Sequence, residues 1–322
     1  MMDTLNNSYE IWTHMLTKVY GKGVKQVKAV DAINIAMEPG IHGFLGPNGA
    51  GKTSTINMLV GAISVTGGTA KIRSFRIGSI KSRRLVGFLP QDPAFYENMT
   101  GPEYLLYIAQ LNGLRRHHAK NKIKQLMEFL DLEEAIDREI GKYSGGMKQK
   151  IGIAAALIHD PDILILDEPT ANLDPLGRAD LISKIKELSK RMSVFVSSHI
   201  LSEVEQMCER VFMINKGRII IDDTIKNIKQ LHTNYSNIFI LDTESNDKML
   251  QILKSKDYVA NAFIRDDDDK IMVMPTDNRA LQSELPQILI QNNFLLKSFY
   301  QQEASLQDIF IEIIQGDDSN VQ

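Results

Sequence analysis

Short apolar, β-branched runs alternate with stretches whose apolar residues recur every three or four positions from about Lys28 to Ile221. That alternation predicts a layered α/β domain with a largely parallel sheet. Strands are expected at Gly40–Leu45, Leu85–Leu89, Asp162–Leu166 and Val194–Ser197, with a hairpin over Val211–Ile221. Between Asp92 and Gly141 the period changes. Leu105, Ile108 and Leu111, then Ile123, Leu126, Phe129 and Leu130, fall at helical spacing, so residues 92–143 are expected to form a helical subdomain inserted into the first domain, 1–225.

Beyond Ile225 the pattern changes again, and residues 226–322 are expected to form a smaller α+β domain. The predicted order is strand Ile238–Leu241, helix Lys248–Leu253, strands Val259–Arg265 and Ile271–Met274, helix Arg279–Ile290, strand Leu295–Tyr300 and helix Leu306–Ile314. The first six have the order of a ferredoxin-like split βαβ unit, which makes that fold the candidate for this domain. Asp266–Asp269 and Lys270 fall between two strand patterns and read as a solvated hairpin turn, because adjacent carboxylates lack the interleaved ligands of a cation loop.

Composition narrows the classes of function. With 43% hydrophobic and 24% charged residues the chain is globular, and a formal net charge of -3 argues against a protein that lives by neutralising nucleic-acid phosphates. Cys208 is the sole cysteine, which excludes an internal disulfide or a multi-cysteine zinc site and suits a reducing compartment such as the cytoplasm. Met1–Thr17 carries Asp3 and Glu10 and lacks the basic start and apolar centre of an export signal. No apolar run approaches the roughly 18 residues that a membrane span needs, since Thr53–Ala70 is broken by Gly61, Gly67 and Gly68.

Chemistry enters at Gly46-Pro47-Asn48-Gly49-Ala50-Gly51-Lys52-Thr53, a phosphate-loop motif placed after the predicted strand Gly40–Leu45 and before a helical run containing Ile56, Leu59 and Val60, with Ser54 following as a further nucleotide-binding candidate. Glycines let successive N–H groups turn inward on a phosphate, and the helix adds the positive end of its dipole. Lys52 is expected to reach the β- and γ-phosphates and Thr53 to ligate magnesium. Further along, Ile163–Leu166 forms an apolar strand that delivers Asp167 and Glu168 at its carboxyl end, where α/β sheets place ligands. Asp167 is the expected magnesium ligand and Glu168 the residue that polarises the attacking water. Ser144-Gly145-Gly146 opens another helical run, giving a second anion-binding helix end. One site does not need two cradles. A sandwich of two chains, each capping the phosphate held by the other, accounts for both; a plain helix cap is the simpler reading of Ser-Gly-Gly taken alone.

In order, the chain carries the phosphate loop, Gln91 after a strand, Tyr143-Ser144-Gly145-Gly146-Met147, Asp167-Glu168, Ala171-Asn172-Leu173-Asp174 and His199 after another strand. This series resembles the ATP-binding-cassette family over about Leu16 to Ile221. It is most similar to the ATPase subunits of two-component exporters in the drug-resistance and lantibiotic-immunity groups, whose ending Ser305-Leu306-Gln307-Asp308-Ile309-Phe310 resembles. The resemblance implies a P-loop NTPase fold, ATP and Mg2+ as cofactors, a second ATPase subunit, and a separate transmembrane permease that would hold the chain at the cytoplasmic face of the membrane. It also implies that Gln91 touches magnesium and the water, and that His199 bonds the γ-phosphate. Tyr20 matches the family's adenine-stacking aromatic, with core packing the alternative. Met147 stands where the family commonly has Gln, and a thioether cannot make that residue's polar ribose contact.

Other features say less. Arg115, Arg116, His117 and His118 with Lys120, Lys122 and Lys124 read as a solvated helix face, and Met15, Met58, Met127 and Met213 as core-filling residues. The rival function is a cassette ATPase acting on ribosomes or nucleic acid. It is disfavoured because the chain has one phosphate loop and no heptad run or cysteine pair between Lys52 and Asp167.

Overall fold

The computed structural model describes residues 9–171, 173–231, 238–265, 268–302, 306, 309 and 310. The chain separates into two compact units, Met1–Ile225 and Lys226–Gln322.

In the first unit, β1 (Ile11–Tyr20), β2 (Val27–Met37), β3 (Ile41–Leu45), β4 (Gly67–Ile72), β5 (Phe75–Arg76), β6 (Val86–Leu89), β7 (Ile163–Asp167), β8 (Ser193–Ser198), β9 (Arg210–Asn215) and β10 (Arg218–Thr224) form two sheets. The larger has the order β10-β9-β3-β8-β7-β6. Its strands β9, β3, β8, β7 and β6 are mutually parallel, and β10 pairs antiparallel at the edge. All residues of β3, β7 and β8 are buried. That explains why Ile163–Leu166 in β7 and Val194–Val196 in β8 run apolar without alternation: both faces of a parallel sheet are covered.

The second sheet, β2-β1-β4-β5, is antiparallel. The hydrophobic pattern did not reveal it as a separate layer, because β1 is interrupted by register shifts between Thr13 and Leu16 and again before Lys18. Each shift flips the inward face and erases the period of two on which strand recognition depends. Met15 lies in the first irregularity with φ of +52° and is 48% exposed, so it does not fill the core as expected. Met58, Met127 and Met213 do.

Between the sheets, α1 (Lys52–Leu59) contributes Ile56, Met58 and Leu59 to a core with Ile11, Ile33, Ile35, Phe44, Ile163, Phe195 and Phe212. Phe44 stacks on Phe195 at 5.3 Å, and Phe195 meets Phe212 at 6.3 Å. After α2 (Ile80–Arg84), the helical insertion consists of α3 (Gly101–Leu111) and α4 (Arg116–Phe129), which pack with α5 (Gly145–Leu157). Thr100 and Glu103 close a capping box at the start of α3, with Pro102 in the first turn where its missing N–H costs nothing. The buried stripe of α3 is Tyr104, Leu105 and Ala109; Leu111, expected inside, is 67% exposed near the helix end. Two further helices, α6 (Pro175–Ser189) and α7 (Leu201–Met207), follow β7 and β8.

In the second unit, α8 (Ile225–Leu231) precedes β11 (Ile238–Thr243), α9 (Asn246–Lys254), β12 (Val259–Ile264), β13 (Ile271–Pro275), α10 (Asn278–Gln291) and β14 (Leu296–Gln302). The sheet order β12-β13-β11-β14, antiparallel throughout, is that of the ferredoxin-like split βαβ unit. Its core joins Phe239, Leu241, Met249, Leu253, Val273, Leu281 and Leu285, with Phe239 stacked on Phe299 at 5.3 Å. Asp277 caps α10 by accepting from the N–H groups of Arg279 and Ala280. At the β12–β13 turn Asp268 is paired with Arg265 and Lys270, while Asp266 and Asp267 lie outside the described residues. Most of the expected helix Leu306–Ile314 also lies outside them, although Leu306 and Ile309 are buried.

Truncation of Phe195 to Ala is expected to destabilise the first unit by about 3–5 kcal/mol, since it opens a void among three packed rings. Chemical denaturation should show an earlier midpoint for that unit. An unmoved midpoint would contradict the placement of Phe195 at the centre of the core.

Candidate active site

Five parallel strands end on one edge of the large sheet, and the phosphate loop and the Asp167-Glu168 pair leave from that edge. Leu45, last in β3, pairs with Ser198 of β8, and Ser197 pairs with Asp167 of β7. Leu89 of β6 pairs with Leu166. The phosphate loop, Glu168, Gln91 and His199 therefore leave neighbouring strands at the same end.

Backbone crowding shapes the loop. A Cβ on Gly46 would sit 2.4 Å from the Ile214 carbonyl oxygen, and one on Gly51, whose φ is +110°, would sit 2.4 Å from that of Ala29. Ala50 is buried, its N–H bonded to the Pro47 carbonyl at 3.1 Å, whereas Asn48 and Gly49 face solvent at the tip. Gly51 then leads into α1, whose first residues are Lys52, Thr53 and Ser54.

Lys52 is 5% exposed, and its ammonium is held by three oxygens. It donates to the carbonyls of Gly46 at 2.8 Å and Pro47 at 3.3 Å, and lies 3.1 Å from Glu168 Oε1. The other Glu168 oxygen meets His199 Nδ1 at 2.5 Å. A lysine, a carboxylate and an imidazole thus form one chain of contacts beside the phosphate loop. Glu168 itself has φ of +50°, a conformation that is uncommon outside glycine and that costs roughly 1–3 kcal/mol. The Glu168 N–H donates to Ser197 Oγ at 3.0 Å, and that hydroxyl donates to Asp167 Oδ1 at 2.5 Å. Ser197 was legible as a strand residue but carries no motif, so sequence reasoning missed its part in the site.

Asp167 is 1% exposed, and burial raises its pKa; hydrogen bonds with Ser197 and Thr53 oppose that shift. A desolvated carboxylate hydrogen-bonded to the Thr53 hydroxyl offers oxygen ligands only, the donor set of a hard divalent ion such as magnesium. The residues fit that ion. Gln91 is exposed two residues beyond β6. Tyr20 is 42% exposed rather than packed in the core. Its hydroxyl is 3.2 Å from Ser54 Oγ, and Lys18 Nζ lies 5.1 Å from its ring centre.

Ser144, Gly145 and Gly146 lie elsewhere. Ser144 caps α5 by accepting from the Met147 N–H at 3.3 Å. Together with Leu173, Asp174 and Gly177 these residues line a cleft between the starts of α5 and α6, and no phosphate-loop residue lines it. Asp174 caps α6, accepting from the Gly177 N–H at 2.7 Å. Asn172 lies outside the described residues.

Comparison with known proteins supplies the last element. The ABC transporter family model matches residues 30–171. The uncharacterized ABC transporter ATP-binding protein YxlF of Bacillus subtilis is 39% identical over 272 residues, 84% of this chain and 89% of the relative. The bacitracin transport ATP-binding protein BcrA of Bacillus licheniformis is 35% identical across 95% of this chain and 97% of its own. A dimeric post-hydrolysis structure of the ATP-binding cassette MJ0796 bound to ADP and Pi has the same fold, with a TM-score of 0.61 at 21% identity, over 67% of this chain and 98% of that one. With the phosphate loop and the Asp167-Glu168 pair on one sheet edge and two ATP-binding relatives matched over most of their length, the chain belongs to the ABC transporter family, as an ATP-binding, ATP-hydrolysing transport subunit.

Proposed function

We propose that this chain is the motor of an exporter, acting as one of two ATPase subunits on a separate transmembrane permease at the cytoplasmic face of the membrane. The export direction follows the resemblance to the drug-resistance exporter subunits, and similarity to the bacitracin transport protein across 95% of this chain supports a transport role. Among the described residues no helix is long and apolar enough to cross a membrane, so in this reading the pathway belongs to the permease. Residues 1–225 are the cassette, with 92–143 as the helical subdomain that faces the permease, and 226–322 are an accessory domain.

The observation that carries the reading is the contact chain that runs from buried Lys52 and Glu168 out to exposed His199. Lys52 already has its charge answered by Glu168 and two carbonyls. An incoming triphosphate is a stronger competitor for that ammonium, so Lys52 turns to the β- and γ-phosphates and Glu168 is released to orient water. His199, freed from the same carboxylate, donates to the γ-phosphate. The N–H groups of Gly46–Thr53 hold the remaining phosphate oxygens, and Tyr20, beside Ser54, stacks on the base. Asp167, Thr53 and Gln91 would hold Mg2+, which supplies neutralising charge to the phosphates.

Ser144 and the N–H groups opening α5 line a cleft that contains no phosphate-loop residue, and we assign them to the nucleotide of the second subunit. Closure is favoured by contacts made only with the γ-phosphate present and is reversed after hydrolysis.

In Glu168→Gln, ATP turnover should fall by roughly 10²–10⁴-fold, the range lost with a general base. The variant should run as an ATP-dependent dimer in size-exclusion chromatography, and a chain that stays monomeric at saturating MgATP would end the sandwich reading. Asp167→Asn should hydrolyse no ATP yet melt higher than the parent without nucleotide. The sign follows from burial: a carboxyl whose pKa is raised in the fold contributes stability below its unfolded pKa, and that stability is lost as pH rises through the folded value. At neutral pH the charge is therefore a cost that the amide removes. A lower melting point for Asp167→Asn at pH 7 would contradict this.

A further inference from the structure

Glu203, in α7, is a carboxylate only 5% exposed, and the scheme above gives it no task. Its Oε2 accepts from Thr170 Oγ1 at 2.5 Å and from Ser198 Oγ at 3.4 Å. Its Oε1 has no hydrogen-bond partner among the described residues, and Arg178 Nη1 lies 3.8 Å away. All three neighbours sit at joints of the site. Thr170 stands two residues past Glu168, and Ser198 immediately precedes His199. Arg178, in α6, holds the Leu173 carbonyl through its Nε at 2.9 Å. The Ser198 hydroxyl also receives the Ile200 N–H at 2.9 Å, so the turn that carries His199 is bracketed from both sides.

A buried carboxylate is a poor way to fill space, because an apolar side chain of similar size avoids its desolvation. What the carboxylate adds is geometry: one rigid group binds the loop beyond β7 and the turn beyond β8.

We propose that Glu203 is a positioning residue for hydrolysis, making the segment after Glu168 and the turn bearing His199 move as one body. Through Arg178 it links that body to Leu173, at the edge of the Ser144 cleft. The inference rests on the assignment of Glu168 and His199 made above. Sequence gives little warning of it, since a lone glutamate on an amphipathic helix reads as solvated.

The test is steady-state ATPase kinetics on the full chain with Glu203→Gln, Thr170→Val, His199→Ala and the Glu203→Gln/His199→Ala double variant. Glutamine keeps the volume and one acceptor oxygen, and thermal melting checks the fold. For Glu203→Gln and for Thr170→Val, kcat should fall about tenfold with KM for ATP changed less than about twofold, as expected when reacting groups are misplaced without loss of binding. The double variant should be no slower than His199→Ala alone, because both changes act on one step. Parental kcat in Glu203→Gln and Thr170→Val, or losses that multiply in full in the double variant, would overturn the role of Glu203. His199→Ala with parental turnover would instead overturn the assignment of His199, and the inference with it. If Glu203→Gln failed to fold, Thr170→Val, which retains the carboxylate, decides alone.

Discussion

The ion pair between Lys52 and Glu168 sets the terms for the rest of the cassette. Two opposite charges, each less than a tenth exposed, lie at the end of a sheet whose strands are otherwise apolar. Leaving either partner alone there would be costly, so each is given further contacts: two carbonyls for the ammonium, an imidazole for the carboxylate. The pair also keeps the phosphate seat occupied by an internal anion. In the proposed scheme a nucleotide displaces that anion, and entry of the γ-phosphate and release of Glu168 become one event.

Such an exchange works only on a frame that does not yield. The frame is the layer of Phe44, Phe195 and Phe212 beneath the strand ends, together with the close approach of Gly46 and Gly51 to neighbouring carbonyls. Interiors packed this tightly transmit displacement rather than absorb it. Where the frame meets the site, the left-handed backbone of Glu168 turns the residue from the end of β7 toward Lys52 and His199.

Much of this was legible in the sequence. The phosphate loop and Asp167-Glu168 are local strings whose meaning comes from a short buried strand before each of them. The order of the second unit was equally plain, because each helix and strand there keeps its own period. Less legible was the antiparallel sheet of β1 and β2: Met15 and Ala32, both with positive φ, break the alternation that would have exposed it. Leu111 continued a helical spacing yet points outward, since spacing alone does not say where a buried stripe stops. Ser197 and Glu203 escaped for another reason. Glu168 lies 29 residues from Ser197 and Thr170 lies 33 from Glu203, and no string of adjacent letters records such a meeting.

Ser197 also fixes something that atom positions do not display. A hydroxyl owns a single hydrogen, and the Glu168 N–H already points at this oxygen. The hydrogen must therefore lie along the bond to Asp167 Oδ1, where it occupies one lone pair of that oxygen. The second lone pair of Oδ1, and Oδ2, stay open to other partners. The tilt of the carboxylate is thus set by a serine one strand away, in a parallel ladder.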